Sequence, residues 1–179
     1  MCGIFFINNY KQDDNFIIEQ FSKCSNRGPD STRYLKVKNN FIGFHRLSIN
    51  GLNSGFQPFN KKGIYLICNG EIYNHKELYF YLKQTPETQS DCEVIIDMYL
   101  KYGIEYTVIQ LDGVFAFILY DTEKNVVYAA RDPFGIRPLY YFNANPSFGF
   151  ASNVASLVKL NNKINYFPPG SYCRIQNNI

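Results

Sequence analysis

Cys2, directly behind Met1 in the run Met1-Cys2-Gly3-Ile4-Phe5, brings two reactive groups onto one residue once Met1 is removed. The thiol is a nucleophile and the freed α-amino group is a base. A thiol of ordinary pKa, about 8.5, needs a neighbour to take its proton, whereas an α-amino group titrates at roughly 7.7–8.0 and is available in neutral form near pH 7. A terminal amine that activates its own side chain is a known variant of nucleophile activation. Cysteine is small enough to permit methionine removal, and the two histidines of the chain, His45 and His75, are not needed as bases. Taken alone, Cys2 reads instead as an apolar residue entering a first strand, because free cysteine is among the most buried residue types.

Further short polar motifs punctuate the chain: Arg27-Gly-Pro-Asp30, Arg46-Leu-Ser-Ile49, Gln57-Pro58, Asn69-Gly-Glu-Ile-Tyr-Asn74 and Ser90-Asp-Cys-Glu93. The elements that must position them can be read from periodicity. Alternation with β-branched and aromatic residues predicts strands near 3–9, 32–38, 41–47, 64–69, 114–121, 126–131, 138–142, 147–151 and 171–176. Helical patterns fall near 14–25, 75–84, 91–102, 104–110 and 153–160. Asn74 is placed to cap the second of these, Ser90 with Glu93 reads as a capping box for the third, and Gly103 stands where that helix would end. The motifs therefore sit at strand ends, where rigid elements can aim side chains into a cleft. Asn50-Gly51 and Asn69-Gly70 also have a plainer reading as turns.

Strands dominate both ends of the chain, with helices set between them rather than alternating regularly. That order argues against a doubly wound parallel sheet and for a layered α+β fold with mainly antiparallel sheets. A chain of 179 residues is long enough for one well-buried domain, and residues 1–179 are read as one. The formal charge of +3 is small and scattered, so no nucleic-acid footprint is expected. Five cysteines without CxxC spacing favour neither a disulfide framework nor a zinc site. No apolar run approaches the roughly 18 residues that a membrane span needs, and no secretory leader is recognisable. A cytoplasmic protein without membrane association is the expectation.

Together with Leu111-Asp-Gly-Val-Phe-Ala-Phe117 and Arg131-Asp-Pro-Phe-Gly-Ile-Arg-Pro-Leu-Tyr140, the motifs resemble the N-terminal glutaminase domain of glutamine-hydrolysing asparagine synthetases. Those are class II glutamine amidotransferases, a branch of the N-terminal-nucleophile hydrolases. The resemblance runs in order over essentially the whole chain, to Phe167-Pro-Pro-Gly-Ser-Tyr172. It implies a four-layer αββα sandwich of two antiparallel sheets, and it turns Cys2 from a candidate core residue into the expected nucleophile.

The resemblance also implies roles residue by residue. Arg46 would clamp the α-carboxylate of L-glutamine, for which a planar guanidinium offers a bidentate match. Glu71 and Asp91 would accept hydrogen bonds from its α-ammonium, and groups around Leu47, Ile49 and Asn50 would line the site. The Asn69 side-chain amide and the Gly70 N–H would form the oxyanion hole. Arg27 would support the nucleophile. Attack by Cys2 on the side-chain amide would release ammonia and leave a γ-glutamyl thioester, which water hydrolyses to glutamate. The glutaminase chemistry would need no metal or organic cofactor. Ammonia would pass to a C-terminal synthetase domain that uses ATP, magnesium and aspartate. The Ser-Gly-Gly-x-Asp-Ser pyrophosphatase loop of such a domain does not occur in these residues. A free-standing glutaminase, an amidotransferase with another acceptor, or a catalytically silent interaction domain are the alternatives, and a homodimer is left open.

Overall fold

The computed structural model describes residues 1–49 and 54–176. One sheet is built from β1 (Gly3–Asn8), β2 (Ser31–Val37), β3 (Asn40–Arg46), β8 (Tyr140–Ala144), β9 (Ser147–Ala151) and β10 (Asn165–Tyr166), in the order β10-β8-β9-β1-β3-β2. The other contains β4 (Phe59–Lys61), β5 (Ile64–Ile72), β6 (Gly113–Asp121), β7 (Val126–Arg131) and β11 (Tyr172–Gln176), in the order β11-β7-β6-β5-β4. Neighbouring strands pair antiparallel throughout both sheets.

Side-chain alternation assigns the layers. Along β1, Ile4 and Phe6 point between the sheets to meet Ile67, Ala116 and Ile118, while Phe5 and Ile7 point outward to Ile17 and Phe21 of α1 (Asp14–Ser22). On the second sheet, Leu66, Phe117 and Leu119 face outward against α2 (His75–Leu82) and α3 (Val94–Gln110). The result is the expected αββα sandwich with three apolar interlayers. Each fully buried Ile or Phe contributes about 1.5–3 kcal/mol to holding the layers together. Central strands that are apolar on both faces are thus a direct consequence of being covered on both sides.

Several local expectations change. Asn74 does not cap α2. Its Nδ2 donates to Gln110 O at 2.8 Å and its Oδ1 accepts from Asp112 N at 3.1 Å, so it ties the start of α2 to the end of α3. Glu93 does not reach back to Ser90; its Oε2 accepts from both Thr88 N and Thr88 Oγ1, at 2.8 and 2.7 Å. Gly103 breaks α3 with φ 79° and ψ 175°, separating the two helical patterns near 91–102 and 104–110. A Cβ there would meet nothing within 4 Å, so the backbone conformation, and not lack of space, calls for glycine. The pattern near 153–160 yields only a 3-10 turn, Val154–Ser156. The short strands β4 and β10 were not anticipated.

Asn69-Gly70 is not a turn. Both residues lie inside β5, opposite Ala116 and Phe115 of β6. Asn50-Gly51 lies outside the described residues. All five cysteines are free thiols. Among the described residues no helix is long and apolar enough to cross a membrane.

Candidate active site

The β1–β3 register pairs Gly3 with His45, so one further step sets Cys2 beside the end of β3 at Arg46 and Leu47. β5 brings Asn69, Gly70 and Glu71 to the same end from the opposing sheet, and the 3-10 turn Asp91–Glu93 delivers Asp91. These elements enclose a cavity of about 50 Å³ lined by Cys2, Arg46, Leu47, Ile49, Gly70, Glu71 and Asp91. Residues scattered from position 2 to position 91 are thus gathered at one edge of the sandwich. Asn50, also expected there, lies outside the described residues.

Cys2 is held from three directions. Leu47 N donates to its Sγ at 3.4 Å, and the thiol points back at Leu47 O at 3.6 Å. Arg27 Nε donates to Cys2 O at 3.1 Å. Asp30, at the other end of the same motif, accepts from Ser48 N at 2.6 Å and so fixes the loop that touches the thiol. Burial pushes the Cys2 thiol above its ordinary pKa, against the lowering effects of Leu47, the chain's terminal charge and Arg46. The resting group is therefore a thiol, and a base must act on it.

Neither histidine lines this cavity. His45 faces the opposite side of β3, stacked on Phe21 with ring centroids 3.9 Å apart and bonded to Phe21 O and Thr32 Oγ1 at 3.1 and 2.7 Å. Burial lowers its pKa, as suits a neutral core histidine. His75 Nδ1 sits 2.8 Å from Ile72 O.

Asn69 is 1% exposed, and its Nδ2 finds no hydrogen-bond partner among the described residues. Alternation along β5 puts its side chain on the inter-sheet face with Ile67, whose cluster Cys2 also packs against. A buried, unpaired amide donor costs about 1–3 kcal/mol. Next to it, Gly70 admits no side chain: a Cβ would lie 2.4 Å from Val114 O and 2.7 Å from Phe115 Cα. The strand thus presents a donor-bearing side chain and a bare backbone in succession.

Charge is arranged around the cavity in both signs. Arg46 is buried, and its Nη2 donates to Ser54 O at 2.9 Å. Buried Asp91 accepts from Ile72 N at 2.7 Å through Oδ2. Glu71 Oε1 accepts from Arg137 Nη2 at 3.1 Å.

Arg137 and Gln57 had no assigned role in the sequence reading. Arg137 hangs from a loop organised by Asp132, which is fully buried and accepts from the backbone N–H groups of Phe115, Phe134, Ile136 and Arg137. Arg131 locks the same loop by donating to the carbonyls of Arg137 and Phe167, both at 2.7 Å. Gln57 bonds both backbone groups of Cys68, at 2.6 and 3.1 Å, and so fixes β5 one residue before Asn69. The signal for both was the motif in which each stands. A larger open basin of about 860 Å³, lined by Lys61, Lys83, Lys101 and Asp97, includes none of the residues named for the site.

The chain matches the glutamine amidotransferase domain family over residues 1–178. It belongs to that family. Among curated proteins, this amidotransferase domain is 40% identical to the glutamine-hydrolysing asparagine synthetase of Bos taurus and 39% identical to that of Homo sapiens. Each match covers 96% of the chain but 33% of the relative, so the chain spans about a third of the length of these synthetases. Among solved structures, the glutamine phosphoribosylpyrophosphate amidotransferase of B. subtilis superposes with a TM-score of 0.80 at 20% identity, covering 98% of this chain and 47% of that one. At that identity the likeness concerns the fold.

Proposed function

We propose that the domain hydrolyses L-glutamine to glutamate and ammonia with Cys2 as nucleophile. The observation that carries this reading is the buried, unpaired Asn69 amide beside Gly70, on the strand that lines the cavity with Cys2. Folding leaves such a donor unsatisfied at a cost, and an oxyanion that forms only during reaction would repay it. In this reading Arg46 binds the α-carboxylate while Glu71 and Asp91 receive the α-ammonium, which selects a free amino acid over a peptide. Leu47 and Ile49, which line the cavity, border the substrate. With Met1 removed, the Cys2 amine takes the thiol proton. Sulfur attacks the side-chain amide carbon, the Asn69 and Gly70 N–H groups hold the oxyanion, and ammonia departs with the transferred proton. Water then cleaves the γ-glutamyl thioester and regenerates the thiol. This sequence calls for no metal or organic cofactor.

The likeness to asparagine synthetases supports a further step, in which the ammonia serves an ATP- and magnesium-dependent amidation of aspartate by a following domain. No residue of the present chain is assigned to ATP, magnesium or aspartate. The test is glutamate release from glutamine by the purified chain and by Cys2→Ala. Release by the parent and none by a folded Cys2→Ala is expected; equal release by both would overturn the mechanism.

A further inference from the structure

Phe56 contacts two cations through its ring. The Arg46 guanidinium carbon lies over its ring at 4.4 Å from the centroid, and that of Arg33 at 4.1 Å. The β2–β3 register explains why both are present: Ser31 pairs with Arg46 and Arg33 with Phe44, so the two arginines share one face as diagonal neighbours. Two like charges so placed repel, and an aromatic ring attracts a cation over its face. A ring close to both guanidiniums offsets part of that repulsion with two attractions. The ring is itself held on both sides in sequence. Ser54 O accepts from Arg46 Nη2, Ser54 Oγ accepts from Gln89 N at 3.2 Å, and Gln57 is fixed to both backbone groups of Cys68.

We infer that Phe56 is a positioning residue for the carboxylate clamp: in cation–π contact with both Arg33 and Arg46, it holds the Arg46 guanidinium in place before a free amino acid arrives. Ordering it beforehand removes a cost that binding would otherwise bear. Arg33, exposed on the edge strand, adds positive charge beside the same clamp. The inference rests on the proposed reading of Arg46 as the α-carboxylate ligand and adds what holds that ligand in place.

The experiment compares Phe56→Leu, which keeps apolar bulk without a π face, with Phe56→Tyr, which keeps the face. Phe56→Leu should raise KM for glutamine about tenfold, equivalent to about 1.4 kcal/mol, with kcat within twofold of the parent; Phe56→Tyr should restore KM. The rate at which iodoacetamide, an uncharged electrophile without a carboxylate, alkylates Cys2 should be the same in all three. Parental KM in Phe56→Leu overturns the inference, as does a parallel loss of kcat and iodoacetamide reactivity, which would mark general structural damage. Calorimetric titration of glutamine onto Cys2→Ser, with and without Phe56→Leu, separates the two levels. Binding that Phe56→Leu fails to weaken overturns the positioning role alone. No glutamine binding to Cys2→Ser overturns the functional reading and the positioning role with it.

Discussion

Arg137 Nη2, in the loop between β7 and β8, meets Glu71 Oε1 of β5 at 3.1 Å, joining residues 66 positions apart in sequence. The Arg137 side chain is 13% exposed and that of Glu71 36%, so the pair is partly shielded. Its arginine is delivered by a loop whose backbone N–H groups converge on Asp132. One carboxylate oxygen of Glu71 is thereby fixed at the cavity wall, which sets the direction in which the other can accept a hydrogen bond.

Removing that orientation should weaken substrate binding more than chemistry. Arg137→Ala is expected to raise KM for glutamine several-fold while kcat changes little, and Arg137→Lys should recover only part of the loss because it lacks the planar fork. Steady-state glutaminase kinetics check this. A fall confined to kcat would mean that Arg137 acts on the reacting atoms and not through Glu71.

Asn69→Ala separates function from stability. Losing one oxyanion donor should lower kcat by about 10²–10³. The same change deletes a buried donor that has no partner, so thermal stability should stay level or rise, in contrast to the usual cost of truncating a buried polar side chain. Parallel melting curves and kinetics test the pairing. A large loss of stability would show that the amide has a structural partner in solution.

Much of the architecture was legible because burial on both faces leaves strong patterns. β1, β6 and β7 were recognisable from their apolar and aromatic residues, and Gly103 from the helical pattern it interrupts. β4 and β10 contain three and two residues, too few for any period to register. Side chains that bond to distant backbone were misread where a local partner was the simplest guess: Asn74 ties α2 to the end of α3, and Glu93 turns to Thr88. The candidate site was legible through its motifs, since the residues they carry line one cavity, although Asn69-Gly70 lies inside β5 and Asp91 on a 3-10 turn and not at strand ends. Arg137 and Gln57 escaped assignment because their partners, Glu71 and the Cys68 backbone, are near only after the sheets form.

Alkaline conditions should erode stability through buried thiols outside the site. Burial raises both Cys24 and Cys173 to about 11 in the folded chain. An unfolded thiol titrates near 8.5, so both states are protonated below that pH and the contribution is fully present. Between about pH 8.5 and 11 the unfolded chain ionises first and stability falls, by on the order of 3 kcal/mol per thiol. Urea unfolding across that range should show a shallower decline in Cys24→Ala than in the parent; identical slopes would remove Cys24 from the account.

The central claim is that Cys2 is a nucleophile aimed at the side-chain carbonyl of a bound glutamine. Intact-protein mass spectrometry of the purified chain, before and after incubation with a glutamine analogue carrying a chloroketone in place of the amide, tests it most directly. The account predicts loss of Met1 and a single stoichiometric adduct that maps to Cys2 and is suppressed by free glutamine. Processed protein that takes no adduct, or one that maps to Cys24, Cys68, Cys92 or Cys173 instead, would contradict it.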